Sequence, residues 1–229
     1  MGNITWLHLS DFHFRASKLD SWNADIVLKS LLVDIEQCIK DENMSLDMVL
    51  ITGDIAFSGS VKDYVLAENF LDNLLKITKL PKSKLFIVPG NHDIDRDKVT
   101  DGAGYIISAI DSNDKMYKIC SGLEDVKLVL SKFNNFNDFI RKYFGKKRSI
   151  FDSRFHYIHK VNISGKKVAL LGLNSAWSAF GGDIDRGKLI LGELQIRKAL
   201  EESQDADIRI AIFHHPFDWS AIPAGAVTT

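Results

Sequence analysis

Four times along this chain a short apolar run stops abruptly at a group of Asp, Asn or His. Residues 4–10 lead into Asp11-Phe12-His13 and residues 47–52 into Gly53-Asp54. Residues 85–88 lead, through Pro89, into Gly90-Asn91-His92-Asp93, and residues 208–213 into His214-His215-Pro216. Runs this short have the length of buried strands rather than helices. Between them the period changes. Ile26, Val27, Leu31, Leu32, Ile35 and Ile39 recur at helical spacing over residues 23–40. A second stripe (Val61, Tyr64, Val65, Leu71, Leu74, Leu75) opens behind Ser60, with Asp63 placed three residues on as at a capped N-terminus. Strands alternating with helices predict an α/β fold with parallel pairing.

The rhythm breaks over residues 95–149, where a helical pattern over 123–144 suggests an insertion or cap within one domain spanning 1–229. Residues 155–163 and 167–174 flank Ser164-Gly165, a hairpin signal. A short helix is expected over 193–203, and residues 208–213 read as one more buried strand. A length of 229 residues suits a single domain with a substantial core.

In an α/β sheet the loops at the carboxyl ends of the strands form the ligand crevice. Four apolar runs therefore deliver acid, amide and imidazole groups to one edge. The glycine before Asn91 frees the backbone to turn there. Asp, Asn and His together are an oxygen and nitrogen donor set that suits manganese, iron or zinc. Two cations sharing one carboxylate can activate water and clamp a phosphoryl group. Cys38 and Cys120 have neither metal nor redox spacing and read as core or boundary residues. A formal net charge of −1 gives no global pull towards nucleic acid or an anionic membrane, while bound cations would still admit a phosphate substrate. No apolar run is long enough to cross a bilayer, and the reading is a cytoplasmic protein.

The segments Leu9-Ser10-Asp11-Phe12-His13, Gly53-Asp54, Gly90-Asn91-His92-Asp93 and His214-His215-Pro216 resemble the calcineurin-like metallophosphoesterase superfamily. The resemblance spans nearly the whole chain and implies a four-layer α-β-β-α sandwich around two divalent ions, manganese before iron or zinc. By position, Asp11 and His13 would bind the first ion, Asp54 would bridge both, and Asn91 and His214 would bind the second. His92 would stabilise or protonate the leaving group, and Asp93 would orient His92 and favour its charged form. The implied chemistry is attack of metal-bound hydroxide on a phosphodiester or phosphomonoester. The superfamily also carries a later Gly-His-x-His, whereas no histidine follows His215 before the chain ends in AIPAGAVTT. The expectation is a domain short of its last strand and of one ligand per ion, completed by further sequence or another chain.

Three functions follow from this reading. The favoured one is hydrolysis of a phosphate ester, with a nucleotide among the candidate substrates. The runner-up is a nuclease of the DNA-repair type, which needs a basic track that only Arg141, Lys142, Lys146, Lys147 and Arg148 begin to supply. The third is a non-catalytic scaffold whose ion site no longer turns over. Other polar residues receive ordinary roles. His8, His156 and His159 read as structural, Asp183, Asp185 and Arg186 as a solvated loop, and Arg15 and Arg96 as surface residues rather than phosphate contacts.

Overall fold

The computed structural model describes residues 3–16, 21–145, 151, 154–181 and 185–220. Lys146, Lys147, Arg148, Asp183 and the tail from residue 221 onward lie outside them. Strands β1 (Trp6–Leu9), β2 (Met48–Thr52) and β3 (Leu85–Val88) form a parallel sheet in that order, with β2 in the centre. Helices α1 (Ser21–Asp41) and α2 (Val61–Thr78) make the two crossovers, as the alternation of periods predicts. The Ser60 hydroxyl accepts from the Asp63 N–H at 3.3 Å and caps α2.

The second sheet joins β4 (His156–Ile163) and β5 (Lys166–Leu173) as an antiparallel hairpin, with β6 (Ile208–Ile212) parallel to β5. Ser164 and Gly165 sit at φ 49° and 76°, the two positive angles that a tight hairpin turn requires. Alternation on β5 sorts its residues between two packing environments. Val168 and Leu170 join the main core with β2, β3 and α2, while Ala169, Leu171 and Leu173 pack with Ala199 of helix α7 (Glu193–Glu202). The layers therefore run helices, sheet, sheet, helix. Tyr157 pins the two sheets together, its hydroxyl donating to the Ile87 carbonyl of β3 at 2.8 Å. It can lie flat there because its cross-strand partner is Gly172, where a Cβ would overlap the ring.

Helices α3 (Asp101–Ser108), α4 (Asn113–Ser121), α5 (Leu123–Leu130) and α6 (Asn134–Phe144) fill the expected insertion. They divide between two cores. The first three enclose a smaller core with Trp177, Leu189 and Leu194. By contrast, Phe136, Phe139, Ile140 and Tyr143 of α6 belong to the main core, where Phe139 stacks on Tyr64 at 4.8 Å. The single helical stretch expected over 123–144 is thus broken by a 3-10 turn at Ser131–Phe133, which redirects the chain from one core to the other.

Three expectations need correction. Among the described residues, strands β1 and β6, at edges of the two sheets, are largely exposed rather than buried, whereas the edge strand β3 is covered on both faces. Cys38 lies on the exposed face of α1 rather than in the core. Asp185 is buried, not solvated, and its carboxylate accepts from the Phe180 and Gly181 N–H groups at 2.9 and 2.7 Å. It faces an equally buried lysine, Lys132, whose ammonium donates to the Ala179 carbonyl.

Burial pulls Lys132 down to about 7, with the Asp185 charge opposing. Above that value the unfolded chain holds a proton that the folded chain has lost, so stability rises with pH towards the ordinary lysine range. Lys132→Met is expected to remove about 2 kcal/mol of the stability gained between pH 7 and 9. Denaturant unfolding of both proteins at the two pH values measures it.

Candidate metal centre

The loops that leave β1 and β2 run side by side beyond the strands. The Asp11 N–H donates to the Gly53 carbonyl at 3.2 Å, the His13 N–H to the Asp54 carbonyl at 3.0 Å, and Phe14 and Ala56 form a parallel bridge. Asp11, His13 and Asp54 hold φ of 59°, 49° and 52°, left-handed values that are uncommon outside glycine. Such angles cost of order 1–3 kcal/mol each and persist only where the surroundings dictate them. Two buried carboxylates do so here. Asp63, at the start of α2, accepts from the Ala16 N–H at 2.9 Å and the Ser58 hydroxyl at 2.9 Å. Asp93 accepts from the N–H groups of Gly90, Ala56 and Ile55 and from the Tyr64 hydroxyl.

The outer carboxylates and imidazoles then meet. Asp54 Oδ2 lies 3.4 Å from His214 Nε2 and 3.7 Å from His13 Nε2, and His13 Nε2 lies 3.8 Å from Asp11 Oδ1. Two overlapping sets of donor atoms result, each within 4.8 Å: Asp11, Asp54 and His214, and His13, Asp54 and His92. Asp54 is common to both. Its Oδ1 accepts from the His92 N–H at 2.9 Å, which fixes the plane of the carboxylate. Glycine is required on both sides of it. A Cβ on Gly53 would stand 2.7 Å from the His214 ring, and one on Gly90 would overlap the Asp54 carboxylate.

Each ring is oriented from behind by a backbone oxygen. His214 Nδ1 lies 2.7 Å from the Thr52 carbonyl and His92 Nδ1 lies 2.7 Å from that of Phe57, so each donates at Nδ1 and keeps Nε2 for the site. Burial works against a charged His214, but contact with the Asp54 carboxylate outweighs it and carries the imidazole up to about 9. Burial likewise opposes ionisation of Asp54, yet His214 holds that carboxyl below its usual range. A proton and a cation therefore compete for the His214 Nε2 lone pair. His13 is held below its ordinary value by burial, with Asp54 opposing. Its Nδ1 is buried and has no hydrogen-bond partner among the described residues. A donor set of crowded carboxylates, imidazoles with defined tautomers and one orphaned ring nitrogen fits divalent cations.

Asn91 is buried beside this group, its Oδ1 2.9 Å from His215 Nε2. Asp93 does not meet His92 as expected. Its carboxylate is fully buried and engaged by four donors, while the Phe57 carbonyl holds the His92 ring. Burial, then the Asp54 charge, pushes Asp93 up to about 6 against the pull of those backbone donors. The sequence reading placed Tyr64 in a helical stripe, Asp63 at a helix cap and His215 in a motif without giving any of them a part in the site, and it gave Ser175 no role at all. Ser175 could have been found, because it follows β5 at the same carboxyl edge as the four motifs. His8 bonds the Thr52 hydroxyl at 2.7 Å and His156 pairs with Glu202 at 3.3 Å, structural roles as expected. Arg15 stacks over Phe57 at 4.3 Å and so stands at the rim, whereas exposed Arg96 lies against Gly181.

The sequence profile of calcineurin-like phosphoesterases matches residues 4–227. The chain belongs to that family. The calcineurin-like phosphoesterases are metal-dependent hydrolases of phosphate esters, and the donor sets around Asp54 are this member's candidate ion ligands. Among curated proteins it is similar to the uncharacterized metallophosphoesterase-like protein YydB of Bacillus subtilis (strain 168), with 27% identity over 220 residues. That alignment covers 93% of this chain and 42% of the relative, so the chain spans less than half the length of the relative it matches. No helix among the described residues is long and apolar enough to cross a membrane.

Proposed function

We propose that this calcineurin-like phosphoesterase hydrolyses phosphodiesters at a two-ion centre, with manganese the first candidate ion. Asp11, His13 and Asp54 would hold one ion, and Asp54, Asn91 and His214 the other. The observation that carries the reading is the position of Asp54 between His13 of the first sheet's loops and His214 of the second's. Two bound cations would supply Lewis acidity for water activation and for neutralising the phosphoryl group. The chain's own part is to hold the ligands without rearrangement. Thr52 and Phe57 fix the tautomers of His214 and His92, and the paired loops fix Asp11, His13 and Asp54. His92, donating at Nδ1 to Phe57, carries its second proton on Nε2 when charged and can pass it to a leaving oxygen.

The nuclease reading gains nothing from the described basic residues. Among the described residues of that helix end, Lys142 pairs with Glu68 at 2.9 Å and Arg141 with Asp138 at 3.1 Å, so neither is a free cation. Manganese is expected to support hydrolysis of bis(p-nitrophenyl) phosphate, a chelator to abolish it, and added manganese to restore it. Single- and double-stranded DNA should stay intact under the same conditions. A chain that binds none of manganese, iron and zinc and releases no nitrophenol would overturn the proposal.

A further inference from the structure

Behind Asn91 lies a network of four hydrogen bonds whose proton positions can be assigned. The Ser175 Oγ accepts from two backbone donors, the N–H of His214 at 3.2 Å and that of His215 at 3.0 Å. A hydroxyl oxygen has two lone pairs, so both are occupied. Its own proton is left for the remaining neighbour, His215 Nδ1, at 3.0 Å. Nδ1 is then an acceptor, and the one proton of a neutral imidazole must sit on Nε2. That nitrogen lies 2.9 Å from Asn91 Oδ1 and donates to it. Ser175, His215 and Asn91 are all buried, so no bulk water competes for these positions.

We propose that Ser175 and His215 are positioning residues for Asn91, acting as a relay that fixes which end of its carboxamide faces the ions. An unrestrained asparagine amide can turn over and present its NH2 group, which cannot ligate a cation. With Oδ1 already accepting from His215, one lone pair of that oxygen remains for an ion and the NH2 is directed elsewhere. The same serine anchors the backbone of His214, so one hydroxyl serves two of the three protein ligands of the second ion, Asn91 and His214. The inference rests on the reading of Asn91 as a ligand. Outer partners of this kind typically change metal affinity by about 10–100-fold.

The test compares manganese binding by calorimetry in the full-length protein and its variants. His215→Gln keeps a donor at the Nε2 position, whereas His215→Leu fills the space without one. The weaker of the two manganese affinities is expected to fall about 10–100-fold in His215→Leu and Ser175→Ala, and to stay near the wild-type value in His215→Gln and Ser175→Thr. Equal losses in His215→Gln and His215→Leu, or no loss in His215→Leu, would overturn the relay. Asn91→Ala with unaltered manganese binding, alongside Asp54→Asn with none, would overturn it while leaving the ion centre intact. A wild-type protein that binds no manganese would remove the centre itself, and the relay with it. One measurement needs no variant. Nitrogen-15 NMR of the metal-free protein should show His215 protonated at Nε2 alone, and a proton on Nδ1 would refute the assignment.

Discussion

Asp54→Asn is expected to reduce manganese-dependent phosphodiester hydrolysis by about 10³-fold or more while leaving the unfolding midpoint close to that of the parent. The substitution is nearly isosteric, and the asparagine oxygen can still accept from the His92 N–H, the bond that Asp54 Oδ1 makes now. What disappears is the charge that His13 and His214 share. An amide oxygen is a poor bridge between two cations, and its NH2 would meet His214 Nε2 where an ion is meant to sit. Ion catalysis supplies several kcal/mol of transition-state stabilisation, and each 1.4 kcal/mol is worth about tenfold. Manganese titration of the variant should show the tighter binding lost as well. Retained activity at a tenth of the wild-type rate would mean that Asp54 is not the shared ligand. The Asp54 charge is also what raises His214, so the imidazole of the variant should titrate at lower pH in the metal-free protein.

The outline of this centre is legible in the sequence because strand ends are. An apolar run followed at once by Asp, Asn or His can hide its strand but not its polar tip, and the carboxyl-edge rule then gathers the tips of β1, β2, β3 and β6. The turn at Ser164-Gly165 and the cap at Ser60 are equally local and equally readable. What the sequence conceals is which partner a polar group chooses across the fold. Asp93 is adjacent to His92, and adjacency suggested a pair, yet the 3-10 turn Asn91–Asp93 sends the two side chains in different directions. Asp185 sits among glycines and charges that suggest solvent, but it is buried, and its charge acts on the equally buried Lys132, far away in sequence. Asp63 and Asp93 are buried against backbone donors far away in sequence, Ala16 for one and Ile55 and Ala56 for the other, and no pattern near either announces them. The break in the helix at Ser131–Phe133 is hidden for the same reason, since it answers to two cores rather than to a local breaker.

Asp93→Ala is expected to unfold the protein or to leave it only marginally stable at neutral pH. The carboxylate is fully buried and receives the N–H groups of Gly90 and Ala56 at 2.9 Å, that of Ile55 at 3.2 Å and the Tyr64 hydroxyl at 3.1 Å. Alanine would strand the three backbone donors in a space that had been filled, while the Tyr64 hydroxyl keeps the residue 93 carbonyl, now 3.2 Å away, as an acceptor. A buried donor left without a partner costs about 1–3 kcal/mol, so even the lower bound gives about 3 kcal/mol. Set against a whole-domain stability of roughly 5–15 kcal/mol, that is a large share. Asp93→Asn should lie between. One amide oxygen still accepts, but the NH2 faces backbone donors it cannot satisfy. Denaturant unfolding of the two variants separates the structural role from a catalytic one. If Asp93 served mainly to charge His92, Asp93→Asn would slow hydrolysis with its unfolding midpoint unchanged. The hydrogen bonds predict the reverse order, with the midpoint falling first and activity following as the loops that hold Asp54 and Asn91 come apart.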